Sequence, residues 1–181
     1  MLFKTLGDKS APAVLFFHAM GVTGESSGPV AAELADRFFC IMPTSTVYCA
    51  GQTYADKADE VRQIKEFLRG QGVERVEMVV AAGKALSYGN IRRQMADSLE
   101  DKPFPPLSKE LQKRCFFEFG SAEDHFKYRA AVMQAYPAGN FPVFDGYNHM
   151  QYQIRDPKGF SEMLRSVMEK NCLPNLPFLR K

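Results

Sequence analysis

Ala13-Val-Leu-Phe-Phe17 is an unbroken apolar run that passes straight into His18-Ala-Met-Gly21. A run of this length bounded by a turn signal reads as a strand covered on both faces. A loop rich in Gly, Thr and Ser follows. Pro29 to Phe38 then predicts a helix, with Val30, Leu34 and Phe38 on one face and Pro29 in its first turn. Phe38-Phe-Cys-Ile-Met42 predicts the next strand, halted by Pro43. Thr53 to Arg69 carries Tyr54, Ala58, Val61, Phe67 and Leu68 at helical spacing, with Gly70 as a C-terminal stop. Val76-Glu-Met-Val-Val-Ala-Ala82 predicts a third buried strand. The order β-α-β-α-β implies a parallel sheet with right-handed crossovers.

The last third repeats the alternation. Cys115-Phe-Phe-Glu-Phe119 predicts a strand ending at Gly120, and Asp124 to Tyr136 a helix with Phe126, Ala130 and Met133 in register. Phe141-Pro-Val-Phe144 predicts a strand whose Pro142 places it at a sheet edge or a strand start. Asp156-Pro157 opens a final helix with Phe160, Met163, Leu164, Val167 and Met168 on one face. The tail from Leu173 to Lys181 is expected to lie extended along the surface. Between Gly83 and Arg114 no strand is recognisable. Ile91, Met95 and Leu99 point to one helix there, and Lys102-Pro-Phe-Pro-Pro106 to a break. The fold class expected is α/β: a mostly parallel sheet of about five strands flanked by helices, within one domain spanning 1–181.

Composition narrows the function. With 45% apolar residues and 15 Phe, the 181 residues carry enough apolar material for a packed core. A formal charge of +2 without a Lys/Arg run argues against nucleic acid and anionic membranes as partners. No stretch approaches the length of a membrane span, and the opening residues carry no secretory-leader pattern. Cys40, Cys49, Cys115 and Cys172 are scattered without a C-x-x-C pair, as expected of free thiols in a reducing compartment. The three His sit in no zinc-binding frame. These features predict a cytoplasmic protein with no metal or other cofactor.

Three loops carry the chemistry. His18-Ala-Met-Gly21 after the first buried strand resembles the H-G-x-x loop of α/β-hydrolases, with Ala19 in place of the usual Gly. The resemblance implies an oxyanion donor at the Met20 amide, and His18 as a brace for that loop. Glu118-Phe-Gly120 followed by Ser121-Ala-Glu123-Asp124 resembles the strand-end loop that carries the triad acid. The family spacing selects Glu123; Asp124 could serve instead, or cap the helix that follows. Gly146-Tyr-Asn-His149 resembles the loop that delivers the catalytic His, and His125 reads as structural. The order of acid before His matches the hydrolase series. The resemblance covers residues 11–82 and 115–170.

The nucleophile is the point of departure from that family. Its small-x-nucleophile-x-small turn should follow the middle strand, and Ala81-Ala-Gly83-Lys-Ala85 fits the spacing with Gly83 at its centre. A second frame, Ala85-Leu-Ser87-Tyr-Gly89, offers Ser87 as nucleophile and the Tyr88 amide as a second oxyanion donor. The family also has a helix, a further strand and often a cap here, for which 83–114 is too short. The expectation is therefore a truncated α/β-hydrolase fold lacking a normal cap, either shortened by internal deletion or a minimal domain. The implied activity is hydrolysis of a small-molecule ester or amide through an acyl-enzyme. The alternative is an inactive hydrolase-like domain that binds a small molecule or a protein. A weaker reading takes Gly21-Val-Thr-Gly-Glu-Ser-Ser27 as a phosphate-cradling loop of a flavodoxin-like domain. Apolar surface uncovered by the short connection predicts self-association into a homo-oligomer.

Overall fold

The computed structural model of the protein describes residues 1–19, 21–80 and 106–171, the side chains of Val80, His125, Lys170 and Asn171 excepted. They fall into two compact units, one within 1–105 and the other within 106–181.

The first unit is built on a four-stranded sheet. Its strands are β1 (Leu2–Leu6), β2 (Ala13–Phe17), β3 (Phe39–Thr44) and β4 (Val76–Val80), in the order β1-β3-β2-β4. β2 runs parallel to both β3 and β4, and β1 pairs antiparallel with β3, Leu2 opposite Thr44 and Leu6 opposite Cys40. Helix α1 (Gly28–Leu34) joins β2 to β3, and α2 (Lys57–Gly70) joins β3 to β4. The crossover through α2 carries the chain back past β2 to the sheet's other side.

Every residue of β3 is buried, as are four of the five in β2, which explains their continuous apolar sequence. Ala13, Leu15, Phe39 and Ile41 form one face of the core with Ile64 of α2, flanked by Phe67 and Leu68. Phe3 stacks on Phe67 with ring centroids 4.0 Å apart, which fastens β1 to α2. By the two-residue alternation, Val14, Phe16 and Cys40 take the opposite face. α1, packed against β3, buries Val30, Ala31 and Leu34. Each such large apolar side chain contributes about 1.5–3 kcal/mol on burial.

This unit differs from the sequence reading at four points. β1 was not expected, and it adds an antiparallel edge. Pro43 does not halt β3 but lies within it, opposite Phe3. Pairing with β2 ends at Ile41, so beyond that point the strand has one neighbour and tolerates a missing N–H. α2 begins at Lys57 rather than Thr53, because the Asp56 carboxylate accepts from Asp59 N–H at 2.7 Å and fixes the start there. Tyr54 is buried outside the helix. α1 likewise stops at Leu34, short of Phe38.

The second unit contains α3 (Lys109–Lys113), β5 (Phe119–Gly120), a 3-10 turn (Asp124–Tyr128), α4 (Arg129–Ala135), β6 (Val143–Phe144), α5 (Gln151–Arg155) and α6 (Pro157–Asn171). β5 and β6 pair in parallel. Both are shorter than their sequences predict, because Pro142 has no N–H to give. The backbone register nevertheless runs from Phe117, whose N–H donates to Asn140 O at 2.8 Å, to Ser121, which donates to Phe144 O at 3.0 Å. The expected helix from Asp124 is a 3-10 turn before it is an α-helix. Asp156 caps α6 as expected, accepting from Gly159 N–H at 2.8 Å. Among the described residues Cys40, Cys49 and Cys115 are free thiols. No helix described is long and apolar enough to cross a membrane. The expected helix around Ile91, Met95 and Leu99, the tail 173–181 and Cys172 lie outside the described residues.

Candidate active site

In the second unit, β5 and β6 end side by side, and each releases a loop from its C-terminal end. The β5 loop carries Glu123 and the β6 loop carries His149. Gly120 is the point of closest approach: a Cβ there would lie 2.1 Å from Tyr147 O and 2.8 Å from Tyr147 C. Only glycine lets the two backbones meet. Ala122 N–H then donates to Tyr147 O at 3.0 Å. Ser121 Oγ ties the loops again, donating to Asp145 Oδ1 and accepting from Gly146 N–H, each at 2.8 Å.

This clamp sets the Nδ1 of His149 2.7 Å from Oε2 of Glu123. A carboxylate can only accept, so the network assigns the proton to Nδ1. Nε2 is then the ring nitrogen suited to act as base. The Glu123 side chain is 4% exposed and that of His149 39% exposed, so the acid is sheltered and the imidazole faces outward. Met150, directly after His149, holds a left-handed backbone with φ 57°, a conformation that costs a non-glycine residue about 1–2 kcal/mol. Glu118 is a third ionisable group here. Burial of its carboxyl, then the charge of Glu123, raise it from its ordinary 4.5 to about 7, against a lowering by His149. Glu118 keeps an exposed surface as a residue, so solvent screening tempers that shift.

The first unit holds a second polar cluster where β2 and β3 end. His18 Nε2 accepts from Ser45 N–H at 3.0 Å, and its Nδ1–H donates to Ala19 O at 2.7 Å. Glu60, on α2, accepts at one oxygen from Ser45 Oγ at 2.6 Å and from Thr46 N–H and Thr46 Oγ at 2.8 Å. Tyr48 sets its ring edge-on to His18 with centroids 5.3 Å apart, and its hydroxyl accepts from Gly21 N–H at 3.0 Å. Gly21 itself has φ 94°, which favours glycine. The residues on either side of position 20 are thus fixed by hydrogen bonds to their neighbours.

No family model matches the chain, and no curated protein matches its sequence. Solved structures do. The type II thioesterase BorB from the borrelidin biosynthetic cluster superposes with a TM-score of 0.66 at 12% identity, over 92% of this chain and 97% of that one. A marine microorganism esterase gives 0.62 at 12% identity, over 92% and 98%. The carboxylesterase CesB from Bacillus subtilis gives 0.62 at 11%, over 92% and 86%. The chain has the α/β-hydrolase fold.

Within that fold, Glu123 and His149 are brought together across the ends of β5 and β6. Asp124 is exposed and opens the 3-10 turn, without a side-chain capping bond at that turn's start. His18 lies on the turn that leaves β2, bonded to Ala19 O and to Ser45 N–H. Met20, Gly83, Ser87 and Tyr88 lie outside the described residues, as does the His125 side chain. The Gly21–Ser27 loop does not present a simple phosphate cradle. Gly24–Ser27 form a 3-10 turn, and Gly24 N–H is committed to Thr44 Oγ at 3.0 Å. Sequence reading missed Glu118, Ser45, Tyr48 and Glu60. For Glu60 a signal existed: a carboxylate one turn before Ile64, on the ridge of α2 that faces the sheet.

Proposed function

We propose that this protein is a serine hydrolase of ester, thioester or amide bonds in small molecules, working through an acyl-enzyme. The observation that carries the reading is the hydrogen bond from His149 to the sheltered Glu123. An imidazole held in one tautomer by a sheltered carboxylate is poised to take a proton at its other nitrogen.

In this mechanism Nε2 of His149 takes the proton of the Ser87 hydroxyl as the oxygen attacks the substrate carbonyl. The oxyanion that forms accepts from the Met20 and Tyr88 amides, a stabilisation worth roughly 3–4 kcal/mol per donor. Imidazolium then protonates the leaving group, and the acyl group stays on Ser87. Water, deprotonated by His149, attacks the ester, and the acid departs with Ser87 reprotonated. Glu123 orients the ring and offsets the imidazolium charge throughout. The names of the structural neighbours, esterases and a thioesterase, favour a carboxylic acyl substrate.

Gly83 at the first nucleophile frame favours a second reading, a hydrolase-like domain that binds without turnover. Intact mass after exposure to a fluorophosphonate separates the two. One adduct per chain mapped to Ser87 supports the hydrolase, and folded protein that stays unlabelled supports the binding domain.

A further inference from the structure

The end of the sheet in the first unit encloses a cavity of about 270 Å³. Phe17 and Ala19 from the end of β2, Pro43 from β3, and Val61 and Ile64 from α2 give it an apolar wall. Met1 and Lys57 complete the lining, and of the polar groups that border it, His18, Ser45, Tyr48 and Glu60 are bonded within the cluster described above. They hold the shape of the wall, and the apolar side chains provide the contact surface.

We propose that this cavity receives the acyl part of the substrate, as an uncharged, apolar group of medium length. The proposal rests on reading the turn after β2 as the oxyanion site. His18 and Ala19 belong both to that turn and to the cavity wall, so the cavity adjoins a carbonyl held at the turn. At roughly 30 Å³ for each water-sized volume, the space admits roughly nine non-hydrogen atoms. That suits a hexanoyl or octanoyl group and is too small for a long fatty acyl chain.

Val61 is the residue to change, because it lines the cavity yet is 48% exposed on α2, so replacing it leaves the sheet core intact. Val61→Trp fills the space and Val61→Ala enlarges it. Turnover of p-nitrophenyl acetate, hexanoate, octanoate and dodecanoate is compared in both variants and the parent, after circular dichroism confirms folding. Binding of octanamide is measured on the same proteins by saturation-transfer NMR. The octanoate-to-acetate ratio of kcat/KM should fall by about tenfold or more in Val61→Trp, and Val61→Ala should move the optimum to longer chains. Octanamide bound by the parent and lost in Val61→Trp, with no turnover by any protein, keeps the cavity assignment and overturns the hydrolase reading. Turnover with the same chain-length profile in all three proteins overturns the cavity assignment and keeps the hydrolase. Absence of both turnover and octanamide binding overturns both.

Discussion

Replacing Gly120 by alanine tests the junction on which the acid–imidazole pair depends. The added Cβ would stand 2.1 Å from Tyr147 O and 3.2 Å from Asn148 O, both backbone atoms that no rotamer change can move aside. Real Cβ atoms essentially never come nearer than 3.0 Å, so the two loops must part by about 0.9 Å. Overpacking of this kind costs about 1–3 kcal/mol, or roughly 2–4 °C in Tm for each kcal/mol at this chain length. The same movement pulls His149 away from Glu123, whose bond is 2.7 Å in the native protein. If the pair is catalytic, a displacement near 1 Å lowers kcat by about 100-fold. Two assays read the two effects: urea unfolding for stability, and the imidazole ¹⁵N–¹H spectrum of His149 for the pair. The expected outcome is a lower midpoint together with loss of the downfield, carboxylate-bonded Nδ1–H resonance. A Gly120→Ala protein with the native midpoint and an unchanged His149 resonance would refute the argument that this close approach sets the pair.

Further outcomes follow from other sites. Glu118 binds its proton up to about pH 7 when folded but releases it near its ordinary 4.5 when unfolded, so stability should fall as pH rises through that window. Glu118→Gln should flatten that part of the Tm-against-pH curve, and an unaltered slope would rule out Glu118 as its source. Glu60→Ala leaves Ser45 Oγ, Thr46 N–H and Thr46 Oγ without their acceptor. It should cost about 1–3 kcal/mol in urea unfolding, and a change below experimental error would show that water replaces the carboxylate. Tyr48→Phe removes the acceptor for Gly21 N–H and should cost about 0.5–1.5 kcal/mol in the same assay. Met78 on β4 and Ile154 on α5 are 64% and 71% exposed, which keeps self-association as our expectation. Light scattering that gives a monomer at high concentration would remove it.

How much of the fold the sequence announced depended on how deeply each element is buried. β2 and β3 were legible as strands because apolar residues on both faces leave unbroken runs that no surface segment imitates, whereas β4, expected to be buried, is only partly so, with Met78 64% exposed. β1 was not, since Leu2-Phe-Lys-Thr-Leu6 lies at an exposed edge and its partner selects it by backbone pairing, which imposes no side-chain pattern. Pro43 misled for a related reason. Its effect on a strand depends on whether a second neighbour needs its N–H, and sequence cannot show where a neighbour ends. In the second unit, aromatic packing takes over much of the work of the ladder. Phe117 stacks between Tyr136 and Phe141, each with centroids 5.2 Å away. Strands held that way are short.

The candidate site divides along the same line. Glu123 and His149 could be named because each follows a strand within a few residues of a glycine, in loops that resemble those of the hydrolase family. The family spacing selected Glu123 over Asp124, and the geometry shows why Glu123 is the partner of His149. Successive residues leave the β5 loop in different directions, and the Gly120 contact orients that loop so that Glu123 points inward while Asp124 faces solvent. The His18–Ser45–Glu60 cluster had no such local mark, because its bonded pairs are 27 and 15 residues apart and draw on three elements. What joins them is the parallel register of β2 and β3 and the α2 crossover, a property of topology. A site of this kind becomes readable only once the sheet order is known. Its carboxylate is nevertheless the residue a sequence reader should question first, since a helix rarely turns a charge toward a sheet unless something there receives it.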